Sequence, residues 1–123
     1  MVLPQQCTNY EILKEESRNR NHGNEKNCDD SLKPNVWHRM MHPAGTKIPE
    51  KSVPTRKCGT FATGWMNGKH PTTFGEEVER KICFNWFGGT CFKSKNIKVT
   101  NCGAYYVYKL PKAPQCYLRY CAE

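Results

Sequence analysis

Residues 102–121, CGAYYVYKLPKAPQCYLRYC, combine the strongest strand signal of the chain with three of its 8 cysteines. Within them, residues 105–110 are rich in aromatic side chains and are bounded by Gly103 and Pro111, which is typical of a β-strand. Residues 117–120 have a similar composition and are predicted to close a sheet. This end of the chain therefore indicates a β domain.

Working upstream, residues 36–41, residues 78–84 and residues 97–99 are also predicted strands, because they alternate in polarity or precede a proline and glycine break. Residues 14–27 contain no large apolar side chain, and residues 59–75 contain five glycine or proline residues, so both are predicted to be long loops. No segment has the spacing of a long amphipathic helix. The predicted fold is small, disulfide-rich and mainly β, a twisted antiparallel sheet with long loops and little helix.

The composition fits a small domain that disulfides stabilise. The chain has 123 residues, of which 37% are hydrophobic and 8 are cysteines. An even cysteine count beside a marginal core is typical of a disulfide framework formed in an oxidising, extracellular compartment. We expect one eight-cysteine module over residues 7–121, a linker at residues 1–6 with no apolar signal region, and a tail at residues 122–123. No apolar run reaches roughly 20 residues, so no transmembrane segment is expected.

Positive charge is concentrated in the last third of the chain. The formal net charge is +8, and the residues from Lys81 onward contribute seven cations and one acid. Interleaved with tyrosines, these cations predict a face that attracts anionic ligands, and a merely solvated sheet face is the alternative. No motif indicates nucleic acid as a partner. The candidate ligand-binding cations are Lys93, Lys95, Lys98, Lys109 and, earlier in the chain, Arg39.

A second candidate site is the loop at residues 64–71. Trp65 offers a flat apolar face, and Asn67 and His70 offer hydrogen-bonding groups, a combination that sugar-binding sites use. The alternative is that Trp65 packs against a disulfide and that the loop is only a turn, because large aromatic residues in small domains usually belong to the core.

Catalytic and metal-binding patterns are weak. His38 and His42 have the spacing of a helical zinc pair, but Trp37 and the following Pro43 predict a strand and a turn, and no third ligand is suggested. A basic chain with 8 cysteines and 4 histidines has the composition of pancreatic-type ribonucleases, yet the signature of that family is absent. We therefore predict no catalytic residue, no metal and no cofactor, and keep a secreted hydrolase of phosphodiesters as the alternative.

Several motifs of the chain together resemble a known extracellular family. They are Trp37-x-Arg39, Cys58-Gly59-Thr60, Gly64-Trp65-Met66-Asn67-Gly68-x-His70-Pro71, Asn101-Cys102-Gly103, Tyr105-Tyr106-Val107-Tyr108-x-Leu110 and Leu118-x-Tyr120-Cys121. In this order they resemble the eight-cysteine extracellular module of uromodulin and related zona-pellucida-domain glycoproteins. The resemblance runs from Cys7 to Cys121.

The resemblance implies a disulfide pairing that spacing alone leaves open among 105 connectivities. The implied pairs are Cys7–Cys102, Cys28–Cys116, Cys58–Cys121 and Cys83–Cys91. Two further cysteines of the mammalian members correspond to Ser52 and Thr90, so that pair is lost together. The two glycan-bearing positions of the family correspond to Asn67, where Lys69 replaces the required Ser or Thr, and to Lys109, so no N-glycan is expected at either.

These observations predict a secreted, non-catalytic recognition or adhesion module that binds glycans, other anionic extracellular ligands or a protein partner. A purely structural module of a larger extracellular glycoprotein is a further alternative. A salt-dependent affinity for polyanions would indicate the basic face, and sugar binding that is insensitive to salt would indicate the loop.

Overall fold

The computed structural model describes residues 2–123, which form one sheet of seven strands. The strands are β1 (Glu11–Leu13), β2 (Trp37–Met40), β3 (Ala62–Asn67), β4 (Glu77–Trp86), β5 (Gly89–Asn101), β6 (Tyr106–Lys109) and β7 (Leu118–Tyr120). The helical structure of these residues consists of two 3-10 turns, Gln5–Cys7 and Glu16–Arg18. No described helix has the length and apolar character needed to cross a membrane. The prediction of a small, mainly β fold with little helix is confirmed.

The sheet is mixed, whereas the sequence predicted an antiparallel one. Its strand order is β1-β2-β6-β5-β4-β3-β7. The four inner pairings are antiparallel. The two outer pairings, β1 with β2 and β3 with β7, are parallel. Parallel neighbours come from segments far apart in the chain, so local alternation could not reveal them.

The prediction of a loop at residues 59–75 is wrong for its middle, because β3 occupies Ala62–Asn67. Gly64, which we interpreted as a loop residue, lies within this strand. A Cβ atom there would lie 2.8 Å from the carbonyl O of Arg119 and 2.8 Å from the ring of Phe84. The glycine therefore permits close packing within the sheet and does not mark a turn.

Residues 14–27 form no regular strand, as predicted, but they are anchored rather than fully exposed. Arg18 is 2% exposed and binds the carboxylate of Asp29 through two hydrogen bonds of 2.7 and 3.1 Å. Asp29 also accepts the backbone N–H of Tyr120 at 2.8 Å, and Arg18 donates to the carbonyl O of Tyr120 at 3.0 Å. Polar groups that satisfy one another therefore hold this segment where apolar burial is absent.

The buried side chains form one large core and two smaller clusters that contain disulfides. The largest fully buried side chains of the main core are Tyr108, Tyr120, Phe84, Met40 and Ile48. The second cluster surrounds Cys7, Cys102 and Val107, and the third surrounds Val53, Cys58 and Cys121. Each small cluster lies at a disulfide, which agrees with a core that is marginal by itself.

The last two residues pack into the fold, although we expected them to form a tail. Ala122 is fully buried and forms a parallel bridge with Asn19. The carbonyl O of Glu123 accepts the backbone N–H of Thr46 at 2.8 Å. Residues 122–123 therefore belong to the packed structure.

Candidate functional site

Trp65 lies in β3, and its indole ring joins two parts of the fold. The ring packs against Val53 and the Cys58–Cys121 disulfide. Its Nε1–H donates to the carbonyl O of Thr90 at 2.9 Å, on the hairpin formed by β4 and β5. This arrangement agrees with the alternative in which Trp65 packs against a disulfide. Because the residue is half-buried, only part of the ring is left for a ligand.

His70 lies in the core, where it is 6% exposed and both ring nitrogens have partners. With a neutral ring, Nδ1–H donates to Glu50 Oε2 at 2.6 Å, and that oxygen also accepts the His70 backbone N–H at 2.7 Å. Nε2 accepts the hydroxyl of Tyr108 at 2.7 Å, and the hydroxyl oxygen accepts the Ile48 backbone N–H at 3.0 Å. Burial holds the pKa of His70 below its ordinary value, and hydrogen bonds from His70 lower the pKa of Glu50. The ring therefore serves the fold.

The three residues of the predicted sugar site lie in three different environments. Asn67 is exposed at the end of β3. Trp65 is half-buried beside the β4–β5 hairpin, and the ring of His70 lies 4.3 Å from that of Tyr106, measured between centroids. The structure does not bring their polar groups together at the surface, and of the three only Asn67 is freely accessible.

Arg39 lies in β2 between two tyrosine rings. Its guanidinium carbon is 3.8 Å from the ring centroid of Tyr105 and 5.7 Å from that of Tyr10. Its Nη1–H donates to the Tyr10 hydroxyl at 2.8 Å. These cation–π and hydrogen-bonding contacts place the charge of Arg39 within the cluster around the Cys7–Cys102 disulfide, so little of it faces a ligand.

The four candidate lysines lie on opposite faces of the sheet. Lys93 and Lys95 share the parity of Ile97 along β5, whereas Lys98 has the other parity. Because successive side chains of a strand point to opposite faces, Lys98 lies on the face opposite to Lys93 and Lys95. Lys98 is directly paired with Lys109 of β6, so these two share a face. The structure therefore separates the lysines into two pairs.

Lys98 and Lys109 border a shallow depression of about 300 Å³. Its other lining residues are Pro34, Asn35, Glu79, Asn96, Ile97 and Pro111. Lys98 is paired across the strands with Glu79, and its Nζ lies 3.9 Å from Glu77 Oε2. Lys109 forms no ion pair with any residue in the range 2–123. Since like charges directly opposite each other across strands are destabilising, this pair leaves the depression with uncompensated positive charge. We call it the Lys98–Lys109 depression.

The other histidines lie apart from one another. His38 lies in β2 and is 3% exposed, and burial lowers its pKa. His42 borders a different depression together with His22. Within residues 2–123, the group of three possible metal ligands that lie close together is Cys28, Asp30 and Cys116, and its two cysteines form a disulfide. The helical zinc pair that we considered for His38 and His42 has no counterpart in the structure, because His38 belongs to a strand.

Comparison with known proteins identifies the family. The family model of the uromodulin-like domain with eight cysteines matches residues 38–122. The chain belongs to this uromodulin-like family. Rat uromodulin is 35% identical to it over 124 residues, which cover 100% of this chain and 19% of the relative. The pancreatic secretory granule membrane major glycoprotein GP2 is 37% identical over 122 residues in rat and over 119 in dog, covering 95% of this chain and 23% of each relative. The chain thus spans about a fifth of the length of these relatives.

The uromodulin-like module contains the disulfides that the resemblance implied. They are Cys7–Cys102, Cys28–Cys116, Cys58–Cys121 and Cys83–Cys91. No described cysteine is free. Three of the bonds join early parts of the chain to residues 102–121, and the fourth crosses the β4–β5 hairpin.

Sequence reasoning missed the most exposed aromatic surface of this uromodulin-like module. Phe87 and Phe92, which are 72% and 37% exposed, lie at the end of the β4–β5 hairpin. The ring centroid of Phe87 is 4.5 Å from that of Trp86 and 5.1 Å from that of Phe92. Phe61 stacks on Trp86 at 6.3 Å. We call Phe61, Trp86, Phe87 and Phe92 the aromatic tip. The sequence Trp-Phe-Gly-Gly at residues 86–89 carries the signal, because paired glycines after a strand indicate a hairpin turn.

Proposed function

We propose that the chain is a non-catalytic extracellular recognition module of a larger glycoprotein and that it binds anionic glycans at the Lys98–Lys109 depression. The observation that carries this proposal is the direct cross-strand pairing of the two lysines, of which Lys109 has no carboxylate partner among residues 2–123. A sulfate or carboxylate group of a ligand would supply the missing counter-charge through charge-assisted hydrogen bonds.

The remaining lining of the depression supports a sugar as the ligand. The exposed amides of Asn35 and Asn96 can donate and accept hydrogen bonds with hydroxyl groups, and Pro34 and Pro111 add apolar surface. The shallow shape suits a segment of an extended polysaccharide better than an enclosed small molecule. The net charge of +8 adds attraction at long range.

The extracellular setting is supported by the cysteines and by the relatives. All described cysteines are paired, which is typical of proteins from oxidising compartments. GP2 is by name a membrane glycoprotein of secretory granules, and it is far longer than this chain. The absence of catalysis is supported by the burial of His38 and His70, since a buried imidazole with a lowered pKa cannot readily exchange protons with a substrate.

Binding of a heparin-derived octasaccharide to the purified chain tests the proposed function. We expect calorimetry to show binding at about 50 mM NaCl that weakens strongly towards about 300 mM. The double variant Lys98→Gln/Lys109→Gln is expected to lose affinity by about tenfold or more, because two charged donors are removed.

The matched control is Lys26→Gln/Lys51→Gln, which removes the same charge from exposed lysines that do not border the depression. It is expected to change the affinity by less than about twofold. Equal losses in the two double variants, or no binding by the wild type, would contradict the proposal. Ribonuclease and glycosidase assays on the same preparation are expected to show no turnover, and turnover abolished by His42→Ala would establish the hydrolase alternative.

A further inference from the structure

The aromatic tip projects from the molecule on a hairpin that a disulfide braces. β4 pairs with β5 up to Trp86 and Gly89, and Cys83–Cys91 links the two strands below the turn. A Cβ atom added at Gly88 would have nothing within 4 Å, so the apex is clear of the rest of the described chain. The hairpin therefore presents its rings on a convex, preorganised surface, which reduces the entropy lost on binding.

Phe87 occupies a backbone conformation that is unfavourable for its own side chain. Its φ is +48° and that of Gly88 is +78°, the pattern of a type I′ turn, which favours Asn, Asp or Gly at its first central position. A bulky residue at positive φ is strained, and Phe87 is also 72% exposed. Folding thus gains little from this ring. Strained, exposed residues of this kind are concentrated at functional sites.

The surroundings of the tip contain cations and no acid. Neither residues 51–75 nor residues 80–122 include an Asp or Glu, and these two segments supply β3, most of β4, β5 and β7. Phe61 contacts both Trp86 and Tyr117, which also belong to these segments. The Nζ atom of Lys93 lies 5.7 Å from the ring centroid of Phe92, and Lys95 follows on the same face of β5. The tip is therefore an exposed aromatic surface backed by positive charge.

We propose that the aromatic tip inserts into the headgroup region of a lipid membrane that contains anionic lipids. Aromatic rings are favoured at the membrane–water interface, and nearby lysines are attracted to anionic headgroups. The apex Phe87-Gly88-Gly89 has no hydrogen-bonding side chain, whereas a glycan needs polar partners for its hydroxyl groups. Lys93 and Lys95 lie on the face opposite to Lys98, so this surface is separate from the Lys98–Lys109 depression.

Co-sedimentation with vesicles tests the proposal. We expect the chain to bind vesicles of phosphatidylcholine mixed with phosphatidylserine more tightly than vesicles of phosphatidylcholine alone. Phe87→Asn is expected to weaken binding by about tenfold or more, because the inserted ring is lost. Asn suits the left-handed turn position, so this variant should fold at least as well as the wild type. The matched control is Ile12→Thr on the edge strand β1, which changes another exposed apolar residue, 49% exposed, and should leave vesicle binding unchanged.

Two further variants separate lipid binding from glycan binding. Lys93→Gln/Lys95→Gln is expected to remove most of the preference for phosphatidylserine, about fivefold per lysine. Phe87→Asn is expected to bind the heparin octasaccharide as the wild type does. The proposal is overturned if the wild type does not bind phosphatidylserine vesicles, or if Phe87→Asn binds them as well as the wild type does. It is equally overturned if Phe87→Asn loses heparin binding but keeps vesicle binding, since the tip would then be a glycan site.

Discussion

Arg18 is buried in a polar segment because its charge is matched within the fold. Its guanidinium group binds Asp29, and Asp29 accepts a backbone N–H from β7. A second guanidinium group, that of Arg119, is 5% exposed and donates to Ser17 Oγ and to the carbonyl O of Cys58. Burial and the charge of Arg18 lower the pKa of Arg119. Asp29 is therefore the counter-charge on which this part of the fold depends.

Replacing Arg18 by Ala is expected to lower the free energy of unfolding by about 3–5 kcal/mol, because Asp29 would stay buried without its partner. The matched control is Arg20→Ala, which removes a partly exposed ion pair with Glu123 at 3.2 Å and should cost no more than about 1 kcal/mol. Denaturant titration of both variants measures the difference. Similar losses in the two variants would show that the Arg18 pair contributes no more than a surface ion pair.

His70 makes the stability of the fold depend on pH. Burial holds its pKa in the folded chain below the ordinary value of about 6.5. Between the two values the unfolded chain binds a proton that the folded chain does not, so stability rises with pH across this window. Stability is therefore lost as the pH falls through about 6.5 towards the folded-state pKa. Glu50, whose pKa is also lowered, adds a further loss at more acidic pH.

We expect the Tm of the wild type to fall between about pH 7 and pH 5. His70→Gln removes one titrating group, so its Tm should depend less steeply on pH, although it should be lower than that of the wild type near neutral pH. The pKa of His38 is also lowered, so part of the pH dependence should remain. The measurement is a series of thermal melts for both proteins. Parallel Tm profiles would mean that His70 does not contribute.

At the scale of the strands, local pattern predicted those elements whose own residues alternate in polarity. Residues 78–84 and 105–110 were assigned in this way and lie in or overlap β4 and β6. β3 was missed because Gly64 signals a turn locally, while the neighbouring ring of Phe84 requires a residue without a Cβ. Residues 89–96 of β5 carry no alternation, and their strand conformation comes from pairing with β4. Tertiary pairing therefore decides where local preference is weak.

The candidate site shows the same division between local and tertiary information. The parity of Lys93 and Lys95 against Lys98 is readable from the sequence once β5 is a regular strand, and it predicts two faces. The environments of Trp65 and His70 were not readable, because Thr90 and Glu50, which hold them, are 25 and 20 residues away. The disulfide pairs came from family resemblance, since cysteine spacing leaves every connectivity open.

At the scale of the whole molecule, the disulfides differ in how much chain they constrain. Cys7–Cys102, Cys28–Cys116 and Cys58–Cys121 span 95, 88 and 63 residues, and each fixes the C-terminal segment to an earlier part of the chain. Cys83–Cys91 spans 8 residues within one hairpin. A cross-link that closes a longer loop removes more entropy from the unfolded chain. The three long-range bonds should therefore dominate stability.

Removing the long-range bond with Cys7→Ala/Cys102→Ala is expected to cost about 4–5 kcal/mol, against about 2–3 kcal/mol for Cys83→Ala/Cys91→Ala. Denaturant titration of both variants without reductant measures the two losses, and complete reduction of the wild type is expected to unfold it. A greater loss from the hairpin bond would show that it acts mainly on the folded state, by bracing the aromatic tip. A chain that stays folded in strong reductant would mean that the main core around Tyr108 and Tyr120 suffices without any cross-link.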